Sequence, residues 1–400
     1  MKAKNKHQRP VSEYLSGKIQ NLFDVKVVDN AKTGKSGLEN QGNSCYINTV
    51  LQCLSNAQPL TDFFLSRVFR EDFDEKSTNG EFSNAFNDFL EAQWLDEYES
   101  IAPIGILELT WGTESFVKGT QSDCHEFQTF FLNEIHSELN RCKNEEQTSV
   151  DAAEENIEVH SLLHWKEHLA HNSSIIVDLF HGQLISSIKC SSCTSHSTSF
   201  DVFSTLVLPI PAAETCNLLE CFNQFSKSEN LVSDEKWKCS KCPENRIAVK
   251  KIELWKIPPI LTICLKRFSS EGVNCTNVKL SKEFNISQIT RNKVRDTYKL
   301  FAAISYVGTG QNGHYYADVM NYKDKKWNRF DDESVQEIDI NQIDGEKVCV
   351  LFYYSCKSEF VVWNPQRVND EIVSLQTELT RKNSQIDLYM HGSTFFSMNI

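Results

Sequence analysis

The 400-residue sequence lacks long hydrophobic runs and an excess of positive charge. No stretch approaches the roughly 18 consecutive apolar residues that a membrane helix needs, and no apolar segment typical of a secretory signal follows the polar N-terminus. Acidic residues outnumber basic ones by 54 to 41, which gives a formal net charge of −13. We therefore expect no membrane span, and general nucleic-acid binding is disfavoured because it requires a basic surface.

The cysteine content does not indicate a disulfide scaffold. Fourteen cysteines are spread over a long chain, whereas disulfide-stabilised domains are typically short and secreted. Reduced thiols in the cytosol or the nucleus fit this pattern better. The length is enough for two domains or for one large elaborated domain.

One cysteine, Cys45, lies where a helix is expected to begin. Apolar residues recur at spacings of three and four over residues 47–54, and turn formers and helix-capping residues occupy residues 42–44. A thiol at a helix N-terminus faces unpaired N–H groups and the positive end of the helix dipole, which favour the thiolate. The alternative interpretation is a buried core cysteine without chemistry.

Five motifs in order resemble those of the ubiquitin-specific proteases, a family of deubiquitinating cysteine peptidases. They are Gly-Leu-x-Asn-x-Gly-Asn-Ser-Cys-Tyr from Gly37, Gln-x-Asp-x-x-Glu-Phe from Gln121, Leu-x-Arg-Phe from Leu265, Gly-His-Tyr-Tyr from Gly313 and Trp-x-x-Phe-Asp-Asp from Trp327. The resemblance covers most of residues 37–354. It implies an intracellular enzyme that hydrolyses the isopeptide bond at the C-terminal glycine of ubiquitin through an acyl-enzyme thioester.

The resemblance also implies an α+β, papain-like fold with a helical thumb, a β-rich palm and zinc-bearing β fingers. The pattern of the sequence agrees, because helical periodicity at residues 82–94 and 126–139 precedes strand patterns that begin near residue 180. We expect a flexible leader at 1–36 and a catalytic domain at 37–356. Within that domain we expect an acidic insertion at about 142–156 and fingers at about 181–260.

The resemblance assigns catalytic roles residue by residue. Cys45 is the expected nucleophile, His314 the base and Asp331 the residue that orients the base. Asn40 matches the oxyanion position, although asparagine also suits an ordinary turn. Only the family pattern chooses Asp331 over Asp332, which is expected behind the triad or on the oxyanion side.

A second group of residues is expected along the path of the ubiquitin tail. By the same match, Gln121, Asp123 and Glu126 line this path, where carboxylates can pair with the arginines of the tail. Tyr315 is expected to wall the same channel. The alternative for the acidic residues is a solvated helix start, where aspartate and glutamate are favoured in any case.

Two C-x-x-C pairs predict one structural zinc site. Four thiolates satisfy tetrahedral zinc and leave no open coordination position. A redox role requires one pair at a thioredoxin-like helix start, and two pairs disfavour it. The expected zinc ligands are Cys190, Cys193, Cys239 and Cys242.

Two further segments carry patterns without an assigned function. His160, His164 and His168 share one face of a predicted helix, for which an amphipathic helix is favoured over a metal site. The tail at 357–400 lies outside the resemblance. Apolar residues at heptad positions over 368–386 predict a short amphipathic helix there, which folds back on the chain or binds a protein partner.

Three alternatives to a deubiquitinase stay open. They are a peptidase for a ubiquitin-like modifier, a catalytically silent ubiquitin-binding scaffold, and a zinc module for nucleic acid, which the acidic charge disfavours. Two positions depart from the family pattern, Ser44 in place of threonine and Tyr306 in place of a frequent histidine. Chain-linkage preference, cellular substrates, activating partners and oligomeric state do not follow from the sequence.

Overall fold

The computed structural model describes residues 33–73, 80–95, 98–142, 156–231, 238–242, 247–270, 272–309, 312–357, 366–378 and 380–381. The described residues form two compact units. The larger unit lies within residues 21–141 and 174–360, and the smaller one includes residues 142–173 and the described tail. No helix in the described ranges is long and apolar enough to cross a lipid bilayer. Residues 1–32 of the expected leader and 143–155 of the expected insertion lie outside these ranges.

Most α-helices of the larger unit precede its strands, as the sequence periodicity predicts. They are α1 (Cys45–Ser55), α2 (Gln58–Leu65), α3 (Glu81–Trp94), α4 (Ile104–Trp111), α5 (Cys124–Glu138), α7 (Ile175–Phe180) and α8 (Leu218–Phe225). The smaller unit contains α6 (Ile157–His171) and a last helix, α9, that includes residues 366–378 and 380–381. Helix α8 was not expected, although Asn217 and Glu220 form a capping box at its start.

The strands are concentrated after residue 181. They are β1 (Gly37–Leu38), β2 (Ser100–Ile101), β3 (Gly182–Cys190), β4 (His196–Phe203), β5 (Thr205–Leu208), β6 (Thr215–Asn217), β7 (Glu229–Leu231), β8 (Ala248–Lys256), β9 (Ile260–Leu265), β10 (Phe268–Ser269), β11 (Gly272–Val273), β12 (Asn277–Lys279), β13 (Glu283–Asn285), β14 (Thr297–Gly308), β15 (Gly313–Met320), β16 (Trp327–Asp331), β17 (Ser334–Ile338) and β18 (Val348–Ser355).

An eight-stranded sheet supports the central helix of the larger unit. Its order is β17-β16-β15-β14-β18-β9-β5, and β13 also pairs with β14. Helix α1 packs against β14 and β15, and all eleven of its residues are buried. Side chains from α1, α3 and α5 share one hydrophobic core with those of β14, β15 and β18. The start of α1 is therefore fixed relative to the sheet.

A second, four-stranded antiparallel sheet has the order β4-β3-β8-β7. The sequence pattern predicts one continuous strand over residues 199–208. In the structure the strand breaks at Ser204, so that β4 belongs to the four-stranded sheet and β5 to the eight-stranded sheet. The chain thus passes from one sheet to the other through a single residue.

The arginine of the Leu-x-Arg-Phe motif is buried beside β18. The guanidinium of Arg267 donates hydrogen bonds to the carbonyl oxygens of Asn274, Thr276, Gly345 and Val348. Burial lowers its pKa, and the four carbonyl groups replace the water that the cation loses. Arg267 therefore links its own strand end to residues 274–276 and to residues 345–348.

The tail helix α9 buries part of its apolar stripe. Val368 is fully buried and Ile372 is nearly so, while Leu375 is half-buried. This burial agrees with the fold-back interpretation of the heptad pattern, which stays a prediction. Binding of a protein partner by this helix stays a prediction.

Candidate active site

Cys45 lies at the start of α1 with 2% of its surface exposed. The loop before it is held by Asn40, whose Oδ1 accepts hydrogen bonds from the backbone N–H groups of Gly42 (3.1 Å) and Ser44 (3.3 Å). The Ser44 side chain does not cap the helix. Its Oγ instead accepts a hydrogen bond from the backbone N–H of Gln41 (2.9 Å).

His314 follows the first residue of β15 and lies between a thiol and a carboxylate. Its Nε2 is 2.6 Å from Oδ1 of Asp331, at the end of β16. A hydrogen bond with Cys45 and, to a smaller degree, the bond with Asp331 raise the pKa of His314 to about 9, although partial burial opposes the rise. This arrangement stabilises the protonated form of the His314 imidazole.

The geometry distinguishes the two neighbouring aspartates. Asp331 contacts the imidazole directly, whereas the nearest carboxylate oxygen of Asp332 is 3.9 Å from Nε2 of His314. Asp332 instead accepts hydrogen bonds from the side-chain amides of Asn40 (2.7 Å) and Asn48 (2.8 Å). Its left-handed φ of 49° turns the chain so that adjacent carboxylates face different partners.

Asn48 is a site residue that the sequence reasoning missed. It is buried on α1, one helical turn after Cys45, and its Nδ2 also approaches the carbonyl oxygens of Leu38 and Glu39 (3.3 Å each). The available signal was its position three residues after the expected nucleophile, which places both side chains on the same side of the helix. That signal does not identify the partner, which lies 284 residues away in the chain.

The nucleophile loop is fastened to the turn that carries the aspartates. The backbone N–H of Leu38 donates to the carbonyl oxygen of Asp332 (2.9 Å). The N–H of Asn40 donates to Oε1 of Glu333 (3.0 Å). Both ends of the site are therefore held together by backbone and side-chain contacts.

Gln121 does not present a free amide to the cleft. Its Oε1 accepts a hydrogen bond from the backbone N–H of Gly313 (3.0 Å), and its Nε2 donates to the carbonyl oxygen of the same residue. Both polar atoms of Gln121 therefore bind the residue before His314, and the expected contact of Gln121 with the ubiquitin tail stays a prediction.

The two acidic residues of the same motif differ in environment. Oδ1 of Asp123 caps α5 by accepting hydrogen bonds from the backbone N–H groups of His125 (2.8 Å) and Glu126 (3.0 Å). The side chain of Glu126 is exposed. The second oxygen of Asp123 and the carboxylate of Glu126 therefore stay predicted contacts of a cationic ligand.

Tyr315, the residue after His314, is buried. Successive side chains of a strand point to opposite faces, so Tyr315 points away from the face that His314 occupies. It is 3% exposed, belongs to the hydrophobic core and packs against the ring of Tyr306. The expected place of Tyr315 along the tail channel stays a prediction.

Four cysteines converge at one end of the four-stranded sheet. The sulfurs of Cys190, Cys193, Cys239 and Cys242 all lie within 4.8 Å of one another. Two of the separations are 4.0 Å (Cys190 to Cys242) and 3.5 Å (Cys193 to Cys239), close to the roughly 3.8 Å expected between thiolates bound tetrahedrally to zinc. The cluster can therefore hold a metal ion such as zinc.

Backbone N–H groups point at three of these sulfurs. The N–H groups of Ser192, Ser195 and Lys241 each lie 3.4 Å from the sulfur of the cysteine two residues earlier. Such donors stabilise thiolates, which are the form that binds metal. All fourteen cysteines lie in the described ranges, and none forms a disulfide.

The histidines of α6 do not form a comparable cluster. Nε2 of His160 and Nε2 of His164 are 3.1 Å apart, as in a hydrogen bond between two imidazoles. His168 lies near Asn172, and within the described residues no third metal ligand joins the pair. This agrees with the expectation of an amphipathic helix.

Comparison with known proteins places these residues in one family model. The model described as ubiquitin carboxyl-terminal hydrolase matches residues 36–353. This range contains the site, the four cysteines and both sheets except the last two residues of β18. It excludes the described part of the tail.

Curated relatives carry the same description. The chain is 31% identical over 382 residues to ubiquitin carboxyl-terminal hydrolase 4 of Vanderwaltozyma polyspora, covering 85% of this chain and 43% of the relative. It is 32% identical over 349 residues to ubiquitin carboxyl-terminal hydrolase 21 of Homo sapiens, covering 80% and 61%. The chain thus spans about half the length of the curated relatives that it matches.

Solved structures of the SAGA DUB module, Ubp8/Sgf11/Sus1/Sgf73, share the fold. One, bound to ubiquitin aldehyde, matches with a TM-score of 0.68 and 23% identity, over 86% of this chain and 75% of that chain. Another is bound to monoubiquitin and matches equally well. The likeness confirms the expected α+β, papain-like fold, in which the helices form the thumb, the eight-stranded sheet the palm and the four-stranded sheet the fingers.

Proposed function

Because this chain belongs to the ubiquitin carboxyl-terminal hydrolase family, we propose that it is a thiol deubiquitinase that cleaves the isopeptide bond after the C-terminal glycine of ubiquitin. The observation that carries the proposal is the meeting of Cys45, His314 and Asp331, where the imidazole contacts both a thiol and a carboxylate. A silent scaffold does not require this geometry. The cysteine, the base and the group that orients the base are what thiol acyl transfer requires.

The reaction proceeds through two acyl transfers. The Cys45 thiolate attacks the carbonyl carbon of the terminal glycine, and a tetrahedral intermediate forms. Protonated His314 gives its proton to the departing lysine amine, which leaves a thioester on Cys45. His314 then accepts a proton from water as the water attacks the thioester. The C–S bond breaks, which restores the Cys45 thiolate, and ubiquitin leaves as a carboxylic acid that gives its proton to the solvent.

Negative charge on the tetrahedral oxygen needs donors that are already in place. We assign the backbone N–H of Cys45 and the side-chain amide of Asn40 to this role. Asp332 and the loop bonds hold that amide, because Asp332 accepts one of its two N–H groups. The other N–H is left to face the oxygen.

Replacing Asp332 with asparagine should lower kcat by about tenfold to a hundredfold, because a charged acceptor of the Asn40 and Asn48 amides is lost. Asparagine tolerates the left-handed φ at this position, so the turn should persist. Steady-state kinetics on a ubiquitin substrate measure the effect. Glu337→Gln, which changes an exposed carboxylate on β17, is the control, and a kcat within twofold of the wild type for Asp332→Asn contradicts the role.

The pKa of His314 predicts where activity is lost at high pH. Because that pKa is raised to about 9, the imidazolium persists well above its usual limit of about 6.5. The profile of kcat/KM should therefore fall with a midpoint near pH 9. In Asp331→Asn the midpoint should move to lower pH, since Asp331 helps to raise the pKa, whereas a wild-type midpoint near 6.5 contradicts the assignment.

Ubiquitin is the proposed partner. Asp123 and Glu126 offer carboxylates near the start of α5, where they suit the arginines of the ubiquitin tail. The acidic net charge of −13 agrees in sign with a cationic tail.

We also propose that Cys190, Cys193, Cys239 and Cys242 bind one zinc ion that holds the fingers. Four thiolates saturate the ion, so its role is structural and no catalytic step passes through it. Reduced cysteines are required both here and at Cys45. This requirement supports a reducing compartment, the cytosol or the nucleus, as the place of action.

A ubiquitin probe with a C-terminal electrophile tests the function directly. Mass spectrometry of the modified peptide should find the adduct on Cys45. Probe binding without an adduct supports the silent scaffold or an enzyme that needs an activator. Failure of both binding and reaction, with reaction toward a ubiquitin-like probe, supports the alternative modifier.

A further inference from the structure

We propose that Gln121 is a positioning residue that holds His314 beside Cys45 by fixing the backbone of Gly313. The expected effect of Gln121 on turnover rests on the proposed function. The position of the His314 imidazole beside the Cys45 thiol does not depend on that function. The first observation is that one amide uses both of its polar atoms on one backbone residue.

A reciprocal pair of hydrogen bonds fixes orientation as well as distance. The N–H of Gly313 donates to Oε1 of Gln121 and the carbonyl oxygen of Gly313 accepts from Nε2, so the peptide groups on both sides of Gly313 are held. The second of these groups is bonded directly to His314. A shift or rotation of the amide therefore moves the catalytic residue.

An aromatic ring lies against Gly313 in the direction that a side chain would take. A Cβ atom on Gly313 would come within 2.2 Å of the Tyr306 ring, so the backbone lies flat against that ring. Gly313 pairs with Gly308 across the β14–β15 hairpin. The hydrogen bonds from Gln121 and the contact with Tyr306 thus both hold the end of the hairpin in place.

The segment that carries Gln121 is itself anchored at both ends. Before Gln121, the carbonyl oxygen of Gly119 accepts a hydrogen bond from Nδ2 of Asn43 (2.7 Å), two residues before Cys45. After Gln121, Asp123 caps the buried helix α5. Residues 119–123 therefore form a bridge from the nucleophile loop to the histidine strand.

This bridge sets the separation of thiol and imidazole. The groups that face His314 are Cys45 from α1, Asp331 from β16 and, at 3.9 Å, Asp332 from the following turn. The two carboxylates are held by their own strand and by Asn40 and do not depend on Gln121. Loss of the bridge therefore weakens the Cys45 contact first.

The test is the alkylation rate of Cys45 by iodoacetamide, which needs no ubiquitin. Gln121→Met keeps the length of the side chain and removes both hydrogen bonds, and mass spectrometry of the peptide containing Cys45 gives the rate. We expect a rate about tenfold lower at pH 7 and an equal rate at pH 10, because a thiol ionises there without help from an imidazole. With ubiquitin substrate, kcat should fall and KM should change little.

Two further variants keep the proposal falsifiable. Gln121→Glu retains the acceptor for the Gly313 N–H but not the donor, and should give an intermediate rate at pH 7. If Gln121→Met does not fold, the alkylation rate of Gln121→Glu at pH 7 tests the proposal in its place. Gln58→Met removes a side-chain hydrogen bond of α2 outside the site and should alkylate as the wild type does.

Two results overturn the proposal. One is an unchanged rate at pH 7 in a folded Gln121→Met protein. The other is an equal loss at pH 7 and pH 10, which indicates altered access to the thiol. If wild-type Cys45 alkylates as expected but no ubiquitin probe reacts, the proposed function fails while the role of Gln121 stands.

Discussion

Replacing Cys45 with alanine should abolish ubiquitin cleavage while leaving ubiquitin binding intact. Loss of a nucleophile typically lowers kcat by about 10⁴-fold or more, since its partners have nothing to activate. Binding survives because the side chain is small and buried, and the loop bonds made by Asn40 do not involve the sulfur. Turnover assays and calorimetric titration with ubiquitin measure the two effects separately.

A second cysteine variant controls for thiol loss in general. Cys275 is exposed and lies outside the catalytic cluster, so Cys275→Ala should retain wild-type turnover. Retained cleavage in Cys45→Ala overturns the nucleophile assignment. Loss of both cleavage and binding indicates that the alanine disturbs the start of α1, and Cys45→Ser then separates packing from chemistry.

Replacing Cys190 with serine should release the metal and weaken the fingers. One missing thiolate opens a closed tetrahedral site, and structural zinc contributes about 10–16 kcal/mol to folding in small zinc-finger peptides. We expect the bound zinc to fall well below one per chain and Tm to drop by about 5 °C or more. Elemental analysis and thermal unfolding measure both quantities.

The Cys190 variant also separates the fingers from the catalytic cluster. Ubiquitin affinity should fall because the metal no longer holds the end of the four-stranded sheet. Alkylation of Cys45 by iodoacetamide should stay near the wild-type rate, since the triad lies on α1, β15 and β16. Cys275→Ser is the matched control, and unchanged zinc content together with unchanged Tm in Cys190→Ser contradicts the site.

The sequence predicted the positions of elements better than their partners. Local periodicity and turn residues predict the start of α1 at Cys45 and the strand that carries His314, so the sequence alone was enough for both. The break at Ser204 was not, because both halves have strand-forming residues and only the tertiary structure assigns them to different sheets. Propensity does not distinguish one sheet from another.

The same limit applies to side chains in the site. The family pattern named Gln121 and Tyr315, but it does not reveal that an amide is already paired or that a ring faces the core. Strand alternation alone predicts that the side chains of the neighbours His314 and Tyr315 lie on opposite faces of the strand. Only the tertiary structure identifies the partners of Gln121 and Asn48, because hydrogen bonds over 192 and 284 residues leave no local signal.

The fastening of the nucleophile loop to the aspartate turn has a consequence for the order of folding. Asn40 and Asp332 are separated by 292 residues, and closing a loop of that length costs on the order of 5 kcal/mol in chain entropy. A growing chain therefore has a complete α1 long before it has a carboxylate for Asn40 or for His314. The catalytic centre assembles last, so partially synthesised chains carry the nucleophile without the means to activate it.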